Sequence, residues 1–142
     1  MDFVVLLARI LFAAIFLASG IGHLTQTAAM TGYAQYKGVP AAQFSVLASG
    51  VLMLAGALSV VLGIWGDLGS LLLAAAIAPI PFLMHRYWNE EGEAKMTEQV
   101  QFNKTLSLVG GAVALFALFT LVPDLGLTLT GPLLQLCPHP TR

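Results

Sequence analysis

The amino-acid sequence predicts an all-α integral membrane protein folded as a four-helix bundle. Its composition is far more apolar than that of a soluble domain, with 58% hydrophobic and 9% charged residues in a chain of 142. The apolar residues also form four long runs that contain few or no charges. Since backbone amides in lipid must be hydrogen-bonded within their own segment, such runs fold as helices.

The four predicted spans are each about 20 residues long, enough for a helix to cross about 30 Å of hydrocarbon. They cover residues 3–24, 44–65, 68–88 and 102–122. The first is interpreted as a retained helix and not a signal peptide, because Asp2 replaces the expected basic segment and Arg9 interrupts the apolar run. The bundle domain therefore covers residues 1–122. Residues 123–142, which are rich in proline, are expected to form a tail that lies on the surface.

Charge and cysteine content argue against several other functions. A net charge of −1 without a basic run gives no reason to expect nucleic acid as a partner. The single cysteine, Cys137, cannot form an internal disulfide and lacks zinc-site spacing, and His139 nearby has nothing to orient it as a base. The carboxylates between residues 90 and 98 are interpreted as a solvated loop, so no metal site is predicted.

The polar residues are distributed unequally between the two membrane faces. With four spans, the ends of the first and third helices and the start of the fourth lie on the same face. That face receives the side chains best suited to bind a ligand or exchange protons, namely His23, Tyr33, Lys37, His85, Arg86, Trp88 and Lys104. The opposite face has Asp2, Asp67 and Asp124. We therefore expect an interfacial polar pocket on the first face.

Two features inside the spans have structural consequences. Arg9 lies about two turns into the first helix, so it either extends to the headgroups or faces the interior with a partner, for which Asp67 and Asp124 are the candidates. Pro79 and Pro81 lack the amides that a continuous third helix would need, which predicts a kink or wide turn just before His85.

Five segments resemble the DoxX family of small four-helix membrane proteins. They are LARILFAAIFLASGIGHL, GYAQYKGVPAA, GALSVVLGIWGDLGSLLLA, PFLMHRYW and QFNKTLSLVGGA. The resemblance covers about residues 7–118. The resemblance maps onto Arg9, Gly20, Gly38, Pro40, Gly56, Gly63, His85, Trp88, Phe102 and Lys104. The chain departs from many relatives at His23, where they have lysine, at Met53, where they have glutamate, and at Thr105, where they have asparagine. A buried carboxylate in the second span is therefore not expected.

The resemblance implies redox metabolism in a bacterial cell membrane. Relatives are linked to thiosulfate oxidation coupled to membrane quinone, to oxidative-stress complexes and to tolerance of quinone-like compounds. A quinone headgroup needs hydrogen-bond partners, an apolar slot and access from lipid. His85, His23, Trp88, Lys104 and Arg86 are the candidate ligand-binding residues, and histidine suits quinone chemistry because it exchanges protons near neutral pH.

Two other interpretations stay open on the sequence alone. His23 and His85 are also candidate axial ligands of a haem b between the first and third helices. Alternatively, the chain is a non-catalytic accessory subunit that packs against a larger membrane complex or against copies of itself. No flavin or nicotinamide fold is indicated, so the electrons of a redox reaction would come from a protein partner. The sequence does not decide whether the chain is an enzyme.

Overall fold

The computed structural model of the chain describes residues 2–122 and 125–134 and contains no strand within them. Its helices are α1 (Asp2–Thr25), α2 (Thr27–Tyr36), α3 (Ala42–Leu62), α4 (Gly66–Ile77), α5 (Ile80–Met84) and α6 (Gly92–Leu121), with a 3-10 turn at Tyr87–Asn89 after α5. Four helical units are long and apolar enough to cross a membrane: α1, α3, the unit Gly66–Asn89 and α6. The predicted all-α membrane bundle is confirmed.

The third span is broken where the two prolines predicted a kink. Helix α4 ends at Ile77, and α5 begins at Ile80 with Pro79 as its N-cap residue. Neither proline has an amide hydrogen, so the ladder of helical hydrogen bonds cannot run continuously through this point. The break places the short α5, and then His85, at the edge of the bundle, and the predicted kink is confirmed.

Two connections between the predicted spans contain helix. Residues 27–36 form α2, and α6 begins at Gly92, about ten residues before the predicted start of the fourth span. The acidic segment suits a helix start because Glu93 lies in the first turn, where the helix dipole favours a negative charge. Glu93 and Glu98 therefore lie in a helix and not in the predicted loop, whereas the predicted exposure to solvent holds for Glu91 and Glu93.

Helix packing depends on close backbone approaches at glycine pairs. A Cβ atom on Gly56 of α3 would lie 2.9 Å from the carbonyl oxygen of Gly69 in α4, and one on Gly20 of α1 would lie 3.0 Å from that of Gly50 in α3. Small residues allow this contact, on which helix association in lipid depends. Helix α1 packs against α3, α3 against α4, and α4 against α6. The core between them includes Ala13, Phe16, Met53, Ala57, Val60, Leu73, Ile77, Ala112 and Phe119.

The bundle has two chemically different ends. We call one the arginine end: it holds Arg9, the α3–α4 turn and residues 125–134, whose backbone hydrogen-bonds to Leu62 and Gly63. The other is the histidine end, formed by the C-terminus of α1, by α2 and α5, and by the start of α6. The tail residues Asp124, Cys137 and His139 lie outside the described residues. What the sequence predicts for them stays a prediction.

Candidate functional site

A cavity of about 570 Å³ opens at the histidine end, between α1, α2, α3 and the α4–α5 unit. Its wall is mainly apolar and includes Met30, Val46, Ile80, Leu83 and Met84. The polar side chains in the wall are those of His23, Tyr33, Ser45, Ser49 and His85. Leu83, on α5, also lies in the wall and is 39% exposed. The size of the cavity lies in the range of small-molecule sites.

His23 is held by α3. Its Nδ1 atom lies 3.1 Å from the carbonyl oxygen of Val46 and 2.9 Å from Oγ of Ser49, and Ser49 itself donates to the Val46 carbonyl at 3.1 Å. The imidazole approaches α3 closely because the facing residue is Gly50, where a Cβ atom would lie 2.8 Å from Cβ of His23. The α1–α3 glycine contact therefore also positions this histidine.

His85 is held by α6. Its Nδ1 atom lies 2.8 Å from Oε2 of Glu98, and both side chains are largely buried, with 19% and 14% of their surface exposed. A carboxylate on one ring nitrogen fixes the orientation of an imidazole and its tautomer. Glu98 thus makes His85 a fixed part of the cavity wall, although the histidine follows a broken helix.

Glu98 also binds two other side chains beside the cavity. Lys37 binds its Oε1 atom at 2.6 Å, and the hydroxyl of Tyr33 donates to the same oxygen at 3.4 Å. The hydrogen bond from Lys37 to Glu98 raises the pKa of this lysine above its usual range. Burial, and secondarily the negative charge of Glu98, raises the pKa of Tyr33. Both side chains therefore keep their protons at neutral pH.

The structure brings only part of the predicted set together. His23 and His85 line the same cavity, but the other three candidates, Trp88, Arg86 and Lys104, do not line it. Trp88 belongs to an aromatic group with Tyr87 and Phe102, and it is 50% exposed. Arg86 donates to the carbonyl of Lys37 and so supports the loop above the cavity. Lys104 is exposed on α6.

Glu98 is the residue beside the cavity that the sequence did not predict. Its neighbours in the sequence are solvated carboxylates, yet it is the one residue between 91 and 100 that is not exposed. A signal for it exists in the sequence: residues 98, 105 and 112 follow one another at a spacing of seven, which keeps them on one helix face. Thr105 and Ala112 are buried, so extending the helix backwards places Glu98 towards the bundle.

Arg9 and Asp67, the two charged side chains predicted inside the membrane region, are both fully buried at the opposite end. Arg9 donates to the carbonyls of Val60 at 2.8 Å, Val61 at 2.6 Å and Leu127 at 3.1 Å. Asp67 instead accepts from two backbone amides of the tail. Among the described residues no ion pair joins Arg9 to Asp67, so the hypothesis of that pair is wrong; Asp124 lies outside those residues.

The family comparison adds to this geometry. The DoxX family model matches residues 4–86, more than half of the chain. The chain belongs to the DoxX family. It is accordingly a multi-pass integral membrane protein, with four apolar helices that meet the length for spanning. The DoxX match includes both cavity histidines and ends at Arg86, so Glu98 and the rest of α6 lie beyond it. No curated protein and no solved structure matches the chain.

Proposed function

We propose that this DoxX protein binds a membrane quinone or quinol in the cavity at the histidine end, as a component of redox metabolism in a bacterial cell membrane. The observation that carries the proposal is the presence of His23 and His85 in one mainly apolar wall. A quinone is an apolar ring and tail with two polar atoms. Such a ligand needs this combination of an apolar slot and a few placed polar groups.

The hydrogen bonds of the two histidines support this proposal. Each ring binds the protein through Nδ1, His23 to α3 and His85 to Glu98. Within the described part of the chain, neither Nε2 atom has a hydrogen-bond partner. These two nitrogens are the groups to which a ligand headgroup would bind, and a histidine held in one orientation exchanges a proton efficiently with such a headgroup.

Access from the bilayer is the second requirement for a quinone site. Leu83 and Pro79 line the cavity and are exposed on the surface of the bundle, beside the break between α4 and α5. An isoprenoid tail would leave the cavity there and remain in lipid. Electrons would be supplied or taken up by a protein partner, while this chain would bind the headgroup and exchange its protons.

The test is to purify the chain gently from native membranes, extract its lipids for quinone, record the visible spectrum and identify co-purifying proteins. We expect quinone in the wild-type extract and its loss in His85→Ala and His23→Ala. Lys104→Ala is the matched control, because Lys104 is exposed and does not line the cavity. Quinone retained by both histidine variants would contradict the proposal.

The same preparation distinguishes two other functions. A haem b held by His23 and His85 would give a Soret band that either histidine substitution removes. A chain that carries neither quinone nor haem, and that co-purifies with large membrane proteins in fixed stoichiometry, would be an accessory subunit. The two shared cavity histidines favour a ligand over this purely structural function.

A further inference from the structure

The hydroxyl groups in the cavity wall share one property: each donates its proton to a protein acceptor. Ser45 donates to the carbonyl of Pro40 at 3.0 Å, and Ser49 to that of Val46 at 3.1 Å. Tyr33 donates to Glu98. Two further wall residues, Pro40 and Pro79, have no amide hydrogen. None of these groups offers a free donor to a ligand.

The tautomers of the two histidines follow from their partners. A carbonyl oxygen only accepts, so the contact of 3.1 Å between Val46 and Nδ1 of His23 places the proton on Nδ1. Glu98 is held as a carboxylate by the ammonium of Lys37 at 2.6 Å, and it likewise accepts from Nδ1 of His85 at 2.8 Å. In a neutral imidazole the second nitrogen is then an acceptor. In the neutral form of both imidazoles, each Nε2 atom is therefore an acceptor.

We infer that the cavity selects the reduced, hydroxyl-bearing form of its ligand, a quinol or an alkylated phenol, over the corresponding quinone. The inference rests on the proposed function and gives the redox state of the ligand that the site binds. A quinol has hydroxyl protons to donate to the two ring nitrogens. A quinone has only carbonyl oxygens, which leave both nitrogens unpaired when they displace water.

The expected preference is a measurable ratio of affinities. One hydroxyl-to-nitrogen hydrogen bond that the quinone lacks is worth about a tenfold difference in Kd. Tighter binding of the reduced form raises the reduction potential of the bound ligand, by about 30 mV for a tenfold ratio in a two-electron couple. The site would therefore make the bound quinone easier to reduce.

Glu98→Gln is the substitution that tests the tautomer argument. Lys37 binds Oε1, so a glutamine in the same position keeps its carbonyl oxygen towards Lys37 and turns its amide group towards His85. That amide donates, so Nδ1 of His85 becomes the acceptor and Nε2 the donor. The variant should lose most of the preference for the quinol. Glu93→Gln is the matched control, since Glu93 is exposed in the first turn of α6.

The experiment measures the Kd of three probes with the same alkyl chain, a hydroquinone, its benzoquinone and its dimethyl ether, by anaerobic equilibrium dialysis with the purified full-length protein. In the wild type and in Glu93→Gln, the hydroquinone should bind at least about tenfold more tightly than either other probe. In Glu98→Gln the ratio of hydroquinone to quinone affinity should fall towards one.

The outcomes separate this inference from the proposed function. A quinone that binds the wild type as tightly as the hydroquinone overturns the inference and leaves the proposed function intact. Failure of all three probes to bind overturns both. If Glu98→Gln does not fold, nitrogen-15 NMR of the wild-type histidine rings replaces it: protonated Nδ1 atoms in His23 and His85 support the inference, and a protonated Nε2 in either ring overturns it.

Discussion

At the arginine end, Arg9 and Asp67 are fully buried and bind backbone groups, whereas at the histidine end Lys37, His85 and Glu98 are partly exposed and bind one another. A buried charge bound by backbone groups has its partners fixed by the fold. Side chains that bind one another around a cavity keep further polar atoms with which they can contact a ligand and exchange protons. The comparison indicates that the arginine end stabilises the fold, whereas the histidine end holds the proposed ligand site.

The largest effect should come from Arg9→Leu. This change removes three hydrogen bonds to the carbonyls of Val60, Val61 and Leu127 at a fully buried position. We expect a loss of about 3 kcal/mol or more in the free energy of unfolding, measured by thermal unfolding in detergent. Lys104→Leu, which replaces an exposed cation, should leave the melting temperature nearly unchanged. Equal melting temperatures for the two variants would remove the proposed difference between the ends.

A smaller effect is expected for Asp67→Asn. Both oxygens of Asp67 accept from the tail, Oδ1 from the amide of Leu133 at 3.1 Å and Oδ2 from that of Leu134 at 2.7 Å. The new amide group faces one of these donors, which costs about 1–3 kcal/mol. Hydrogen exchange should therefore become faster in residues 129–134, while exchange in α2 stays unchanged. Unaltered protection of the tail amides would mean that Asp67 does not hold this segment.

Alanine substitutions at two glycines allow a direct comparison of how tightly the two ends are packed. Gly63 at the arginine end and Gly38 at the histidine end both have left-handed backbones, with φ of 64° and 79°. Alanine would cost each about 1–2 kcal/mol of backbone strain. At Gly63 the added Cβ would also lie 2.7 Å from Thr128 and 2.8 Å from the guanidinium of Arg9, while at Gly38 the nearest atom, on Arg86, is 3.7 Å away.

Gly63→Ala should therefore be more destabilising than Gly38→Ala by about 1–3 kcal/mol, the cost of overpacking. Chemical denaturation of both variants under one set of conditions measures the difference. A larger loss for Gly38→Ala would show that the loop above the cavity is packed as tightly as the arginine end.

The smallest effect concerns the Lys37–Glu98 pair and depends on pH. Glu98 raises the pKa of Lys37 in the folded state, so the pair's contribution to stability is fully present below the unfolded-state pKa of about 10.4. The contribution is lost as pH rises through the higher folded-state pKa. The difference in melting temperature between wild type and Lys37→Met, equivalent to about 1 kcal/mol, should stay constant from pH 7 to 10 and shrink above that range. A difference that shrinks below pH 9 would contradict this assignment.

The spans and the helix break were predictable because they depend on local sequence. Long apolar runs must be helices in lipid, and Pro79 and Pro81 interrupt any helix that contains them. The shared membrane face of His23 and His85 also followed from counting spans, since four crossings fix which helix ends meet.

The partners of the charged residues were not predictable, because they depend on three-dimensional contacts. Arg9 binds carbonyls at the end of α3, which any helix end offers and no sequence pattern marks. Glu98 was hidden among neighbouring carboxylates that are exposed. Its position depends on α6 starting at Gly92, and charge-rich composition obscured that helix start. Helical periodicity carried backwards from Thr105 and Ala112 would have identified it.

Photolabelling with an azido-quinone, followed by mass spectrometry of the modified residues, would locate the proposed ligand site at the histidine end. We expect modification of cavity-wall residues, such as Met30, Tyr33, Leu83 and Met84, that an excess of unlabelled hydroquinone prevents. Labels spread evenly over the lipid-facing surface, or concentrated at Trp65 and residues 125–134 of the arginine end, would contradict it.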